Sequence, residues 1–447
     1  MPKGTKGGKI GVISLGCPKN LVDTEKMLGR FFEAGHTLTP NPEEADLLVV
    51  NTCGFIAQAE EESRQAIREM AAIKSRRPGV RLAVTGCLAQ RHGLTLKEQI
   101  PEIDLLLGTY DTPEQPRSLA VPPRRRALAI LDPLQRPLDG AARVLTTPAH
   151  TAYLKIAEGC NNPCSFCIIP QLRGPFRSRP EVELFGEARA LAKGGVRELN
   201  LVSQDTSLYG RDLVPRSNLV TLLHGLEEID KIQWIRLLYL YPTLVHDDLL
   251  DRVAASEKIV PYFDIPLQHT HSAVLTRMKR AERGGDIRRL IERIRTRIPH
   301  ASIRTTFIVG FPGETEEEFL DLECFVQDYR LDHVGVFAYS DEPGSASFAM
   351  PDKIPTAIAE KRRQRIYELQ QQISREKLSE MIDRTVSVLV EGPLQEEPWT
   401  HQGRTAGQAP DVDGHVKLVG KGKVSSGTMV TARITSNTAY DLMAEMM

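Results

Sequence analysis

Cys160-Asn161-Asn162-Pro163-Cys164-Ser165-Phe166-Cys167 is the stretch on which the fold turns. The three thiols lie in a CxxxCxxC spacing directly after a β-type segment, AYLKIAE at 152–158. Three thiolates spaced this way hold three corners of an iron–sulfur cube and leave one iron without a protein ligand. A fourth cysteine would close the cluster for electron transfer, whereas three leave a place for a substrate. The competing reading is a zinc knuckle, which uses CxxC pairs and a fourth Cys or His. No partner CxxC exists in the chain.

Downstream, strand-type segments recur at 196–203, 233–240, 259–266, 302–310 and 333–340. Helical patterns separate them at 181–193, 217–229, 243–256, 272–298 (with a Gly-Gly break) and 314–329. With 152–158 this predicts six parallel strands joined by right-handed crossovers. Six are too few for the eight-stranded barrel, so an open, partial barrel is expected, its reactive face at the C-terminal strand ends. Polar residues at such ends are candidates: Ser203, Gln204, Asp205 and Thr206 after the second strand, Gln268 and His269 after the fourth. Polar residues there also form turns. Arg304, on the fifth strand, either clamps a carboxylate or makes a salt bridge inside the barrel.

Upstream, the first 110 residues alternate strand and helix, with strands at 9–15, 46–51, 80–86 and 104–108. That pattern predicts a parallel sheet with covering helices. Cys17, Cys53 and Cys87 each follow directly on one of those strands. Parallel strands end at one sheet edge, so the three thiols converge there as a second three-cysteine site, with Gly16, Gly54 and Gly86 making the turns. The alternative is three independent buried cysteines behaving as small hydrophobes. Cys324, mid-helix and without a partner, is expected in the core.

Between 111 and 150 lie seven prolines and the triplet Arg124-Arg125-Arg126, read as connection with a solvated charge run. After a charged helix at about 356–382, short alternating segments separated by Gly and polar turns predict a small all-β barrel. The expected organisation is an N-terminal domain at 8–120, a linker at 121–145, a central domain at 146–376 and a barrel at 378–447.

Composition sets the class. The 447 residues carry 57 Lys+Arg against 58 Asp+Glu, a net charge of −1, and 41% are hydrophobic. This excludes a largely disordered chain and argues against bulk attraction to nucleic acid. No apolar run spans a membrane, and the basic start MPKGTKGGKI has no apolar segment behind it, so a cytoplasmic location is expected. In a reducing compartment clustered cysteines point to metal or catalysis rather than disulfides.

The CxxxCxxC triplet on the first strand of a six-stranded β/α partial barrel resembles the radical S-adenosylmethionine superfamily. The resemblance implies that Cys160, Cys164 and Cys167 carry the catalytic 4Fe-4S cluster. It also implies that S-adenosylmethionine chelates the open iron and is cleaved to a 5′-deoxyadenosyl radical. Phe166 then stands beside the adenine, or is a packing aromatic. Gln204 and Asp205 help hold the methionyl amino group, and Arg304 is a further cofactor contact.

Taken with the N-terminal trio and the C-terminal barrel, the whole chain is similar to the radical methylthiotransferase family, whose barrel is the TRAM domain. The implied fold is an N-terminal parallel α/β domain, a central partial (β/α)6 barrel and a small TRAM barrel. The family implies a second 4Fe-4S cluster on Cys17, Cys53 and Cys87 that handles sulfur, fed by an external electron donor and sulfur source. Gly16-Cys17-Pro18-Lys19-Asn20-Leu21-Val22-Asp23, Ile168-Ile169-Pro170-Gln171 and Gly403-Arg404-Thr405-Ala406-Gly407-Gln408-Ala409-Pro410 resemble its ribosomal-protein branch. That branch modifies the β-carbon of an aspartate in ribosomal protein S-twelve, free or in the small subunit. His401-Gln402 before Gly403 departs from the branch pattern.

Charge bears on the substrate. From Leu378 to Met447 nine acidic residues face six basic ones, a net −3. A barrel gripping tRNA through phosphates should be basic, whereas an acidic one suits a basic ribosomal protein. The basic segments 283–297 and 361–363 are either contacts to ribosomal RNA or ordinary helix faces. The rival readings are a tRNA adenosine (2-position) methylthiotransferase and a non-catalytic iron–sulfur ribosome-binding module.

Overall fold

The computed structural model describes residues 7–109, 128–129, 143–420 and 422–447. Most of the expected linker, with its arginine triplet, lies outside the described residues. The described chain divides into two compact units, one comprising residues up to 146 with 158–161 and 167–177, the other comprising 147–157, 162–166 and 178–447.

The first unit is built on a six-stranded parallel sheet in the order β2-β1-β3-β4-β5-β6. Its strands are β1 (Lys9–Ser14), β2 (Thr37–Leu38), β3 (Leu47–Thr52), β4 (Arg81–Gly86), β5 (Leu105–Leu107) and β6 (Leu128–Ala129). β6 is a two-residue strand within the stretch expected to be mostly connection. Helices α1 (Pro18–Glu33), α2 (Ala57–Arg76) and α3 (Cys87–Gln99) cover the sheet. Side chains alternate across a strand, and the two faces of β3 show it. Leu47 and Val49 join Met27, Leu28 and Phe31 of α1. Leu48 and Val50 join Ile67 and Met70 of α2 and Leu88 of α3. All six residues of β3 are buried, as expected of a strand covered on both faces. A short helix, α4 (Ile169–Arg173), also belongs to this unit.

Two further strands of two residues each, β8 (Ala157–Glu158) and β9 (Arg177–Ser178), flank α4 in the chain and pair with each other. The second unit holds the central sheet, β7 (Thr151–Lys155), β10 (Glu198–Val202), β11 (Trp234–Leu237), β12 (Ile259–Asp264), β13 (Ser302–Val309) and β14 (His333–Ala338). All six are parallel and neighbour one another in sequence order. Helices α5 (Glu181–Lys193), α6 (Leu219–Glu227), α7 (Asp247–Ala255), α8 (Ser272–Arg277), α9 (Gly284–Arg297) and α10 (Glu316–Tyr329) make the crossovers. The segment read as one helix with a Gly-Gly break is two, α8 and α9, with Gly284 and Gly285 opening the second.

After α11 (Thr356–Ser379) the chain closes a five-stranded barrel in the order β15-β16-β17-β19-β18. Its strands are β15 (Thr385–Glu396), β16 (Trp399–Arg404), β17 (Val416–Val419), β18 (Met429–Asn437) and β19 (Leu442–Met446). Val388, Val390, Val416, Leu418, Ala432, Ile434, Leu442 and Ala444 fill it.

The segment 404–413 is embedded at the N-terminal ends of the central strands. Arg404 and Arg236 both pair with Glu198, and none of the three side chains is exposed. Tyr153 and Tyr262 donate to Asp411 and Asp413 at 2.9 and 2.6 Å. Arg304 lies in the same place. It is the third residue of β13, far from that strand's C-terminal end, and its guanidinium is bound by Asp413. This corrects the expectation that Arg304 contacts the cofactor, in favour of the salt bridge.

Candidate metal centre

Each N-terminal cysteine lies where the chain passes from a strand's C-terminal end toward the next helix. Cys17 is the N-cap of α1, and its carbonyl accepts from the Asn20 and Leu21 amides. Cys53 follows β3, and the Ser63 hydroxyl clamps it from both sides, accepting from its amide at 3.0 Å and donating to its carbonyl at 2.8 Å. Cys87 is the first residue of α3.

The glycines show that these turns touch. A Cβ on Gly16, whose φ is +90°, would stand 2.9 Å from Cys53 Cβ and 3.1 Å from its Sγ. One on Gly54 would stand 2.9 Å from the Cys87 carbonyl carbon and 2.7 Å from the Leu88 amide. Cys17 thus adjoins the Cys53 turn, which adjoins Cys87. Such spaces are cradles that any side chain would fill. A three-thiol donor set on one sheet edge is the chemistry that iron–sulfur clusters take.

Among the described residues no three His, Cys, Asp or Glu side chains gather tightly enough to hold one metal ion. A cube takes one thiolate per iron, so its cysteines stand around the cluster instead of meeting at a point. Burial pushes the Cys53 thiol up to about 11. Burial also raises Cys87, against the opposing pull of Arg173. Arg173 donates to Cys87 Sγ at 3.6 Å.

Cys160 and Cys167 belong to the first unit, and Cys164 and Phe166 to the second. The Cys160 amide donates to Gly174 O at 3.1 Å. The Ile169 amide, opening α4, donates to Cys167 Sγ at 3.4 Å. In the second unit, Arg280 donates to Cys164 Sγ at 3.8 Å. Arg280 is itself buried, paired with Glu282 at 2.5 Å and stacked 4.2 Å above the Tyr241 ring. Ser165 anchors the loop by bonding the carbonyls of Arg277 and Met278. Phe166 packs with Val274, Met278 and Phe311.

Asp205 follows β10 and is 1% exposed. Its carboxylate accepts from Asn162 at 2.8 Å and Ser207 at 2.6 Å. Burial raises its pKa, against those two donors. Asn162 lies between Cys160 and Cys164, so Asp205 is tied to the cysteine loop. Gln204 precedes it on the same turn. His269 is fully buried against Glu314 at 3.3 Å, a structural pairing. Cys324 is exposed, which corrects its expected place in the core. It sits on the solvent side of α10, where Leu322, Phe325 and Val326 face inward.

Sequence patterns single out neither Arg173 nor Arg280. Arg173 stands two residues beyond the quoted Ile-Ile-Pro-Gln run, and Arg280 is one of many arginines in its region. No spacing rule marks either.

Over residues 9–108 the chain matches the model of an uncharacterised protein family, UPF0004. The Radical SAM superfamily model matches 154–325 and the TRAM domain model 382–447. A curated relative from Aquifex aeolicus, ribosomal protein uS12 methylthiotransferase RimO, is 46% identical over 97% of this chain and 96% of its own. The RimO of Pelotomaculum thermopropionicum is 45% identical over 98% of this chain and 99% of its own. The chain belongs to the RimO methylthiotransferase family.

RimO-family membership covers both cysteine trios and the barrel. Among solved structures, a radical S-adenosylmethionine methyltransferase, TsrM of Kitasatospora setae, aligns with a TM-score of 0.54 at 14% identity over 74% of each chain. The cobalamin-dependent enzyme OxsB aligns at 0.53 and 9% identity, over 81% of this chain and 56% of its own. Both likenesses concern the fold alone. No helix among the described residues is long and apolar enough to cross a membrane.

Proposed function

We propose that this RimO-family chain methylthiolates the β-carbon of an aspartate in ribosomal protein S-twelve, using S-adenosylmethionine as methyl donor and radical source. The observation that carries the reading is 41–46% identity, along nearly the whole chain, to relatives named ribosomal protein uS12 methylthiotransferase. The acidic C-terminal barrel suits a basic protein partner. The arginines of α9 offer little to a phosphate backbone: Arg288, Arg289, Arg293 and Arg297 are paired with Asp321, Asp286, Asp247 and Asp251, and Arg295 donates to the Tyr329 and Arg330 carbonyls.

Cys160, Cys164 and Cys167 would hold one 4Fe-4S cluster, and Cys17, Cys53 and Cys87 the other. Bound there, the clusters supply the electron that cleaves the sulfonium and the site that carries sulfur. The chain's own contribution is orientation and charge. Asn162 and Ser207 aim the Asp205 carboxylate, which suits the methionyl ammonium group. Phe166, held by Val274, Met278 and Phe311, offers an apolar wall for the adenine. Arg280 and Arg173 donate to cluster thiolates and offset their charge.

Mass spectrometry of ribosomal protein S-twelve, after anaerobic incubation with the reconstituted protein, reductant, sulfide and S-adenosylmethionine, tests the proposal. The expected product gains the mass of CH2S on one aspartate. An unmodified aspartate together with newly methylthiolated adenosine in tRNA would transfer the chain to the RNA-modifying branch. Failure to release 5′-deoxyadenosine would make it a binding module.

A further inference from the structure

Helix α4 begins two residues after Cys167 and ends on Arg173, in the same compact unit as the N-terminal trio. Its residue Leu172 and the preceding Ile168 pack on Cys87 together with Phe55. Arg173 is 2% exposed, and both of its terminal nitrogens are engaged. One terminal nitrogen donates to Asp23 at 2.6 Å and Glu158 at 3.3 Å, the other to Asn20 at 3.0 Å and Cys87 Sγ at 3.6 Å. Asn20 and Asp23 lie on α1, the helix that Cys17 caps. A single guanidinium therefore joins the helix that leaves one cysteine motif to two strand-end turns of the other. Its charge is felt at Cys17, Cys53 and Cys87 alike.

We propose that Arg173 is a positioning residue that orients Cys87 and sets the reduction potential of a cluster on Cys17, Cys53 and Cys87; this rests on the reading that those cysteines carry one. Hydrogen bonds to ligating sulfurs and nearby charge tune such clusters. Adding an electron makes a cluster more negative, so a fixed guanidinium favours the reduced form and raises the potential. The fork geometry serves Cys87, Asn20 and Asp23 at once, which a lysine does not reproduce.

The test uses full-length protein with Cys160, Cys164 and Cys167 changed to Ala, reconstituted anaerobically, and compares Arg173 with Arg173→Lys and Arg173→Gln. Redox titration followed by electron paramagnetic resonance reads the potential, and iron analysis reads occupancy. The expected result is a lower midpoint potential in Arg173→Gln, partly restored in Arg173→Lys, with an altered resonance line shape in both. Loss of iron from Arg173→Gln, with Arg173→Lys still loaded and shifted, also supports the role. Unchanged potential and line shape in loaded Arg173→Gln would overturn it, as would loss of folded structure by circular dichroism in both variants. Should the protein with Arg173 intact bind no cube in this background, the reading of the N-terminal trio fails, not the assignment of Arg173.

Discussion

Arg404 of the C-terminal barrel and Glu198 of the central sheet meet at 2.6 Å with neither side chain reaching solvent. Arg236 shares the carboxylate at 3.1 Å, and Glu391 takes the Arg404 Nε at 2.5 Å. The barrel is thus fastened to the core by a lattice of charges. Removing one member leaves another charge buried and uncompensated, which costs about 3–5 kcal/mol. Arg404→Met is expected to lower stability by that amount in denaturant unfolding. The chain's two tryptophans, Trp234 at the base of the core and Trp399 on the barrel, report the transition. A loss below about 1 kcal/mol, the level of an exposed pair, would show that the lattice holds little.

The same lattice predicts a pH profile. Burial pushes Glu198 up, but Arg404 and Arg236 overcome it and hold the carboxyl at about 2. Glu391, likewise opposed by burial, is held at about 2 by His415 and Arg404. These depressed carboxylates give stability that is present above their ordinary value of 4.5 and is lost as pH falls toward 2. His415 is raised by its hydrogen bond to Glu391, so its share is complete below its ordinary 6.5 and is lost as pH climbs through its raised value. Thermal unfolding across pH 3 to 9 is expected to show a plateau at about pH 5–6 with a fall on each side. Replacing His415 with Gln should flatten the alkaline side and also shrink the acid-side fall, because His415 helps hold Glu391 down.

Much of this architecture was legible because it is periodic. The apolar runs LLVVNT and RLAVTG are each followed by a cysteine, and as parallel neighbours they end at one sheet edge, so the closeness of those two turns was readable from strand ends alone. In β16, Trp-Thr-His-Gln-Gly-Arg alternates weakly, and its strand character comes from pairing within the closed barrel. Arg304 was misplaced because its distance along β13 decides its edge, and Arg304 lies near the start. The partners of Arg173 at Asn20 and Asp23 are some 150 residues away in sequence, and no local pattern reveals them.

Two three-thiol sites should load independently. Cys17→Ala is expected to lose about half the iron of the reconstituted protein, as is Cys160→Ala, while a variant lacking both trios binds none. Cys324→Ser should retain full iron and activity, because that thiol is exposed and on the solvent side of its helix. Equal loss of all iron on changing Cys17 alone would refute two separate clusters.

Gly86 makes the turn into Cys87 at φ +97°, and a Cβ there would stand 2.4 Å from Asn51 Oδ1 and from Thr52 O. Backbone strain of this kind costs about 1–3 kcal/mol before the clash is counted. Gly86→Ala is expected to destabilise the first unit and to lose the iron of Cys17, Cys53 and Cys87 selectively. Gly186, in α5 with open space around it, is the control. Its change to Ala should be neutral or stabilising by up to about 1 kcal/mol.

Asp205 tests the proposed cofactor contacts. Its carboxylate is buried at the end of β10, already bonded to Asn162 and Ser207, with burial the main influence on its ionisation. A charge-assisted hydrogen bond to an ammonium group contributes about 1.5–3 kcal/mol, or roughly 10- to 150-fold in affinity. Asp205→Asn keeps the shape and removes the charge, so anaerobic equilibrium binding should show S-adenosylmethionine affinity reduced by that factor at unchanged iron content. Arg304→Ala, at the other end of the strands, should leave the affinity as it was. If instead Arg304→Ala weakened binding and Asp205→Asn did not, the cofactor would lie against the opposite edge of the sheet, and the roles given to Phe166 and Asp205 would fall together.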